Sequence, residues 1–175
     1  MLHTLRTAIS RLLETVLISL MIALTVMVIV AVFYRKFGAA LSWYDEVASI
    51  VLAWITYYGA ALAALKRQHL GFDSVLLSLP PGARAVAVVV AETLVIGFFV
   101  LLGWAGFRVL QVVGDETLIS LPWVPVLLTQ SVIPIGCALF VICELLSLPD
   151  YWRSVMAGKS LEHPELHDAT AKAER

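Results

Sequence analysis

Four long apolar stretches divide the chain, and polar or charged residues lie between them. The first, Thr15 to Tyr34, contains no charge. The second runs from Val47 to Leu65. The third, Ala85 to Phe107, is interrupted by one acid, Glu92. The fourth runs from about Leu118 to Leu148 and carries Glu144 near its end. About 20 apolar residues in a helix cross the ~30 Å of a bilayer's hydrocarbon. The pattern therefore predicts an all-α integral membrane protein with four transmembrane helices, over about 15–34, 47–65, 85–107 and 120–148. Residues 1–152 form the membrane domain, and 153–175 a polar tail. The last stretch is longer than a span requires, so Ser120, Pro122, Trp123 and Pro125 are expected at the membrane interface. Pro134 is expected to kink the helix, because proline lacks the backbone donor and crowds the preceding turn.

The first stretch is too long for the apolar part of a signal peptide. Arg35 and Lys36 follow it, not a small-residue cleavage site, so it is expected to be retained. Between the second and third spans, Asp73 or Ser74 can cap a short helix running to Leu79. Val75, Leu76 and Leu79 give that helix an apolar side, and Pro80, Pro81 and Gly82 end it. The expectation is an interfacial helix lying on the inner leaflet.

Lysine and arginine set the orientation. Arg6, Arg11, Lys66, Arg67, Arg84, Arg153, Lys159, Lys172 and Arg175 fall on one side of the four spans. Only Arg35, Lys36 and Arg108 fall on the other. This asymmetry places both termini in the cytoplasm. Trp43, Tyr44, Trp123, Tyr151 and Trp152 stand at span ends, where amphipathic rings prefer the headgroup level.

Composition agrees with lipid as the solvent: 61% of residues are hydrophobic and 14% charged, against about half and a quarter in soluble domains. A net charge of −1 provides no field for nucleic acid. Cys137 and Cys143 lie in an apolar stretch at a spacing that suits neither a redox motif nor zinc, and read as small buried hydrophobes. The two halves of the chain do not echo each other, which argues against an inverted-repeat transporter within it.

Haem held in a membrane bundle needs histidines inside the spans, but His3, His69, His163 and His167 all lie outside. The same placement argues against an intramembrane metal. No nucleophile–base pair or phosphate loop is present, so neither an enzyme nor a cofactor is expected. Glu92 and Glu144 are the candidate intramembrane polar groups. A carboxylate in hydrocarbon must face protein, water or a cation. It is either a proton or ion site, or a polar contact to a neighbouring helix or to Lys66 or Arg67 at the same membrane face. In the second span Ser49, Ala53, Ala60 and Ala64, with Gly59 and Ala63, recur at near-helical spacing. Such small residues let helix backbones approach, within this chain or against another. Asp45 and Glu46 precede the span, where the helix dipole favours acids.

The second span and its flanks carry a resemblance. Trp43-Tyr44-Asp45-Glu46, an apolar span with Trp54 and Gly59-Ala60-Ala61, and Lys66-Arg67-Gln68-His69-Leu70-Gly71-Phe72-Asp73 resemble, in that order, the small DctQ-type membrane subunit of tripartite ATP-independent periplasmic (TRAP) transporters. Ser120-Leu121-Pro122-Trp123 and Ile133-Pro134-Ile135-Gly136 are similar to the family's fourth span. The resemblance covers most of Tyr34 to Cys143. The acid pair is Asp45-Glu46 where two glutamates are usual, and Ser49 or Ile50 stands where an arginine is often found.

The resemblance implies a multi-pass subunit of the bacterial inner membrane. Its partners would be a large TRAP membrane subunit that carries the transport pathway and a periplasmic substrate-binding protein. It implies gradient-driven uptake of an organic acid such as a C4-dicarboxylate. Trp43, Asp45, Glu46, Trp54, Lys66, Arg67, His69 and Asp73 become candidates for partner docking or for structural roles. Two other readings stay open: a self-contained homo-oligomeric transporter using Glu92 for protons, and a membrane anchor for an enzyme.

Overall fold

The computed structural model describes residues 2–67 and 79–157. The five helices in these residues are α1 (Leu2–Lys36), α2 (Tyr44–Lys66), α3 (Pro81–Val113), the short α4 (Val126–Gln130) and α5 (Val132–Met156). Four segments are long and apolar enough to cross a membrane: α1, α2, α3, and α4 with α5 taken together. The expected interfacial helix before Leu79, and the tail from Gly158 onward, lie outside the described residues.

The helices extend past the apolar stretches that announce them. At about 1.5 Å per residue, the 35 residues of α1 reach well beyond 30 Å of hydrocarbon. Backbone chemistry ends them. Gly38 adopts φ 78° after α1, and the Ala39 N–H turns back to the Tyr34 carbonyl, a closure that a residue with a Cβ resists. Pro81 opens α3, where the first-turn donor it lacks would have had no partner.

The fourth span is interrupted at Ser131, between α4 and α5. Pro134 sits in the first turn of α5 and has no N–H for the carbonyl of Gln130, four residues earlier. The helical ladder therefore has a gap where α4 stops. Residues 118–125 form a loop and not a helical start. In it the Leu118 N–H bonds the Val124 carbonyl, and the Val126 N–H bonds the Glu116 carbonyl.

The helices pack as a curved row in the order α1, α2, α5, α3. The central helix, α5, contacts α2 on one side and α3 on the other, and α1 lies against the outer side of α2. Leu13, Ala61, Ala64, Leu65, Phe140 and Cys143 make the buried core. Among the glycines, the most crowded are on α5 and α3. A Cβ built on Gly136 would lie 2.7 Å from the Tyr57 Cβ, and one on Gly106 would lie 2.6 Å from the Ile133 Cγ2. Phe99 stacks on Phe140 with centroids 3.6 Å apart, fixing α3 against α5. The outer helices leave large side chains uncovered, among them Ile18, Met21, Ile22 and Val26 on α1 and Leu94, Phe98, Leu101 and Trp104 on α3.

Candidate functional site

Polar side chains concentrate toward the two ends of the helices, and each end is held by one residue from α2.

At the end where α2 begins, that residue is Glu46. Its carboxylate accepts the backbone N–H of Ile119 at 3.2 Å and of Ser120 at 3.0 Å, and the Ser120 hydroxyl also donates to it. These bonds tie the first turn of α2 to the loop between α3 and α4. Trp43 caps α2 through its backbone, and its carbonyl accepts the Val47 N–H. Asp45 is exposed and lines a cavity of about 260 Å³ that Arg35 and Ser42 also line. One turn deeper than Ile50, Trp54 donates its indole N–H to the Thr129 carbonyl at 3.4 Å, beside the break between α4 and α5. Its ring meets Tyr58 edge-on.

At the end where α2 stops, the residue is Arg67. It closes α2 in the left-handed conformation, φ 53° and ψ 39°, which costs a residue with a Cβ roughly 1–2 kcal/mol. From there its guanidinium reaches its neighbour α5 and, beyond it, α3. Nη1 lies 2.6 Å from Glu92 Oε1 on α3 and 2.8 Å from Glu144 Oε1 on α5. Nε donates to the Ser147 hydroxyl at 2.8 Å, which in turn donates to the Glu144 carbonyl. The guanidinium carbon sits 4.4 Å from the Tyr151 ring centroid, a favourable cation–π placement. Arg67 and Glu92 side chains are each 12% exposed and that of Glu144 is 6% exposed, so this ion cluster is largely withdrawn from solvent.

Lys66 points the other way and meets Glu14 of α1 at 2.7 Å. Arg6 of α1 bonds Asp150 of α5 at 2.9 Å and the Leu65 carbonyl at 2.8 Å. Arg84 of α3 donates to the Val155 carbonyl at 3.0 Å. Every long helix is thus tied to another at this end. His69 and Asp73 lie outside the described residues.

Sequence reasoning singled out Glu92, Glu144 and Arg67, but not Ser147, and it placed Ser120 at the membrane interface without pairing it to Glu46. Serines in apolar segments are common enough that nothing in the chain marked Ser147. Among the described residues no three His, Cys, Asp or Glu side chains group as a metal would require. Cys137 and Cys143 are buried free thiols.

Comparison with known protein families matches residues 24–153 to the DctQ component of tripartite ATP-independent periplasmic transporters. No curated protein matches the chain.

Proposed function

The chain belongs to the DctQ component family of tripartite ATP-independent periplasmic transporters, and from that premise we propose that it is the small permease subunit that scaffolds the large transport subunit in the bacterial inner membrane. As a component of such a transporter it works with other subunits. Our reading assigns it both termini in the cytoplasm, an outward-facing end around Asp45 and Glu46 that helps dock the periplasmic binding protein, and service in gradient-driven uptake of an organic acid of C4-dicarboxylate type.

The observation that carries the scaffold reading is the distribution of polarity. The described charged groups gather toward the helix ends, where several of them join this chain's own helices to each other. Between them the contacts are of the Phe99–Phe140 kind, and the outer faces of α1 and α3 present large apolar side chains. Such faces suit lipid and a helical partner. Where lipid is as apolar as the side chains, association rests on close packing, which a row of rigidly joined helices can offer.

Co-purification tests this. A tagged copy expressed with its neighbouring membrane genes, and extracted in mild detergent, should carry a large multi-span protein in fixed stoichiometry. A homo-oligomer that leaves the co-expressed membrane protein behind would overturn the scaffold reading.

A further inference from the structure

We propose that the Glu92–Arg67–Glu144 cluster binds one proton, shared between its two carboxyl groups. The argument begins with charge. One guanidinium faces two carboxylates, both against the same Nη1. With both acids ionised, the joint of α2, α3 and α5 would hold a net negative charge. A charge withdrawn from water and left uncompensated is severely unfavourable.

Among the described residues the other cations tied down at this end point elsewhere, and Arg84 donates to the carbonyls of Leu79 and Val155. Lys66 is committed to Glu14, and Arg6 to Asp150. The described groups facing the cluster are few. From α2 comes Arg67, and from α3 comes Glu92. From α5 come Glu144, the Cys143 thiol beside it, the Ser147 hydroxyl, and the Tyr151 ring under the guanidinium. Of the described ionisable side chains of α1 at this end, Arg6 and Glu14 are turned to Asp150 and Lys66, and Arg11 is exposed beside Glu14.

Hydrogen bonding makes the same point independently. Arg67 satisfies one oxygen of each carboxyl. The other oxygens, Glu92 Oε2 and Glu144 Oε2, are buried and have no hydrogen-bond partner, and the Glu144 side chain is more than nine-tenths buried. The two carboxyls are close neighbours, because one Oε1 of each contacts the same Arg67 Nη1. A carboxylate only accepts, whereas a protonated carboxyl donates. One proton therefore neutralises the excess charge and supplies the missing donor, so that one acid's O–H can bond the other's oxygen. The step is simple ionic association: a proton from water forms one O–H bond, and no electron is transferred. Glu92 also lines a groove of about 400 Å³ between α3 and α5, beside Thr93 and Trp152. Because the carboxyls interact strongly, the proton belongs to the pair and not to either residue.

Infrared spectroscopy on the full chain, purified with any membrane partner that accompanies it, tests this near neutral pH. The wild type should show a protonated-carboxyl carbonyl band that shifts in heavy water. The band should disappear in Glu92→Gln and equally in Glu144→Gln, because each variant leaves one carboxylate paired with Arg67 and no excess charge to neutralise. Absence of the band in the wild type would overturn the proposal without recourse to any variant. So would a band that survives either substitution, since one carboxyl would then hold its proton without the other. The result is independent of whether the chain scaffolds a transporter.

Discussion

The carboxylate of Glu46 holds the backbone N–H of Ser120 at 3.0 Å, across 74 positions of sequence. Through that bond, its companion at Ile119 and the Ser120 hydroxyl, the first turn of α2 carries the loop that leads into the fourth span. Glu46→Ala should free this loop. Limited proteolysis of the detergent-solubilised protein should then show faster cleavage within residues 114–125, with a lower unfolding temperature. Ser120→Ala, which keeps both backbone bonds, should have the smaller effect on both readouts. Equal cleavage in Glu46→Ala and wild type would mean that the carboxylate does not hold the loop.

The Arg67 clamp makes a sharper demand. Removing the cation in Arg67→Gln leaves two largely buried acids opposed to each other, a loss of about 3–5 kcal/mol on the scale of broken buried ion pairs. Arg67→Lys keeps the charge but not the fork that reaches Ser147 and both acids together, and should fall between. Adding Glu92→Gln and Glu144→Gln to Arg67→Gln should recover much of the loss, because the charges that needed the guanidinium are gone. Denaturant titration in mixed micelles would read all three variants against the wild type. A triple variant no more stable than Arg67→Gln would show that the arginine acts through its backbone conformation or packing instead.

Helix spacing is set by glycine at two crossings. Gly136→Ala would place a methyl 2.7 Å from the Tyr57 Cβ and Gly106→Ala would place one 2.6 Å from the Ile133 Cγ2, and each should destabilise by about 1–3 kcal/mol through overpacking. Gly97→Ala is the matched control. Nothing lies within 4 Å of its added methyl, so alanine's better helix propensity should leave stability unchanged or raise it by up to about 1 kcal/mol. Thermal unfolding of the three variants side by side decides the matter, and a loss at Gly97 matching those at Gly136 and Gly106 would refute the crossing argument.

Phe140→Ala should remove the ring stacked on Phe99 and open a void between α3 and α5. The cost should be about 3 kcal/mol, at the low end of the range for soluble cores, because lipid supplies no hydrophobic drive and only the packing is lost. Phe140→Leu should lose less. Equal stability of Phe140→Ala and wild type would show that the α3–α5 contact rests elsewhere.

Cys137 and Cys143 are 1% and 0% exposed, so a maleimide should label neither in the folded protein and both after denaturation. Rapid labelling of the native protein would contradict the placement of α5 at the centre of the row.

The four spans were legible in the chain because lipid offers the backbone no hydrogen-bond partner. An apolar stretch of about 20 residues must satisfy itself, and a helix does so within the segment. The punctuation at Gly38, Pro81 and Pro134 is equally local, since each acts through its own backbone. So is the closeness of Glu92 and Glu144 to the basic end of α2, which follows from counting residues along each span.

What the chain did not decide is which neighbour each group meets. Lys66 and Arg67 are adjacent in sequence and equally basic, yet one turns to Glu14 on α1 and the other to Glu92 and Glu144. Lys66 is the last helical residue of α2 and Arg67 stands beyond it in the left-handed conformation, so which of them faces α3 and α5 depends on how the helix ends and how α2 is rotated in the row. The helix dipole accounted for Glu46 within its own turn, while its partners Ile119 and Ser120 lie on a loop that only folding brings near. The small residues of α2 were visible as a stripe, but among the glycines it was Gly136 and Gly106, and not Gly59, that proved crowded. A glycine becomes a crossing point only when another helix lies over it, and that is a property of two helices at once.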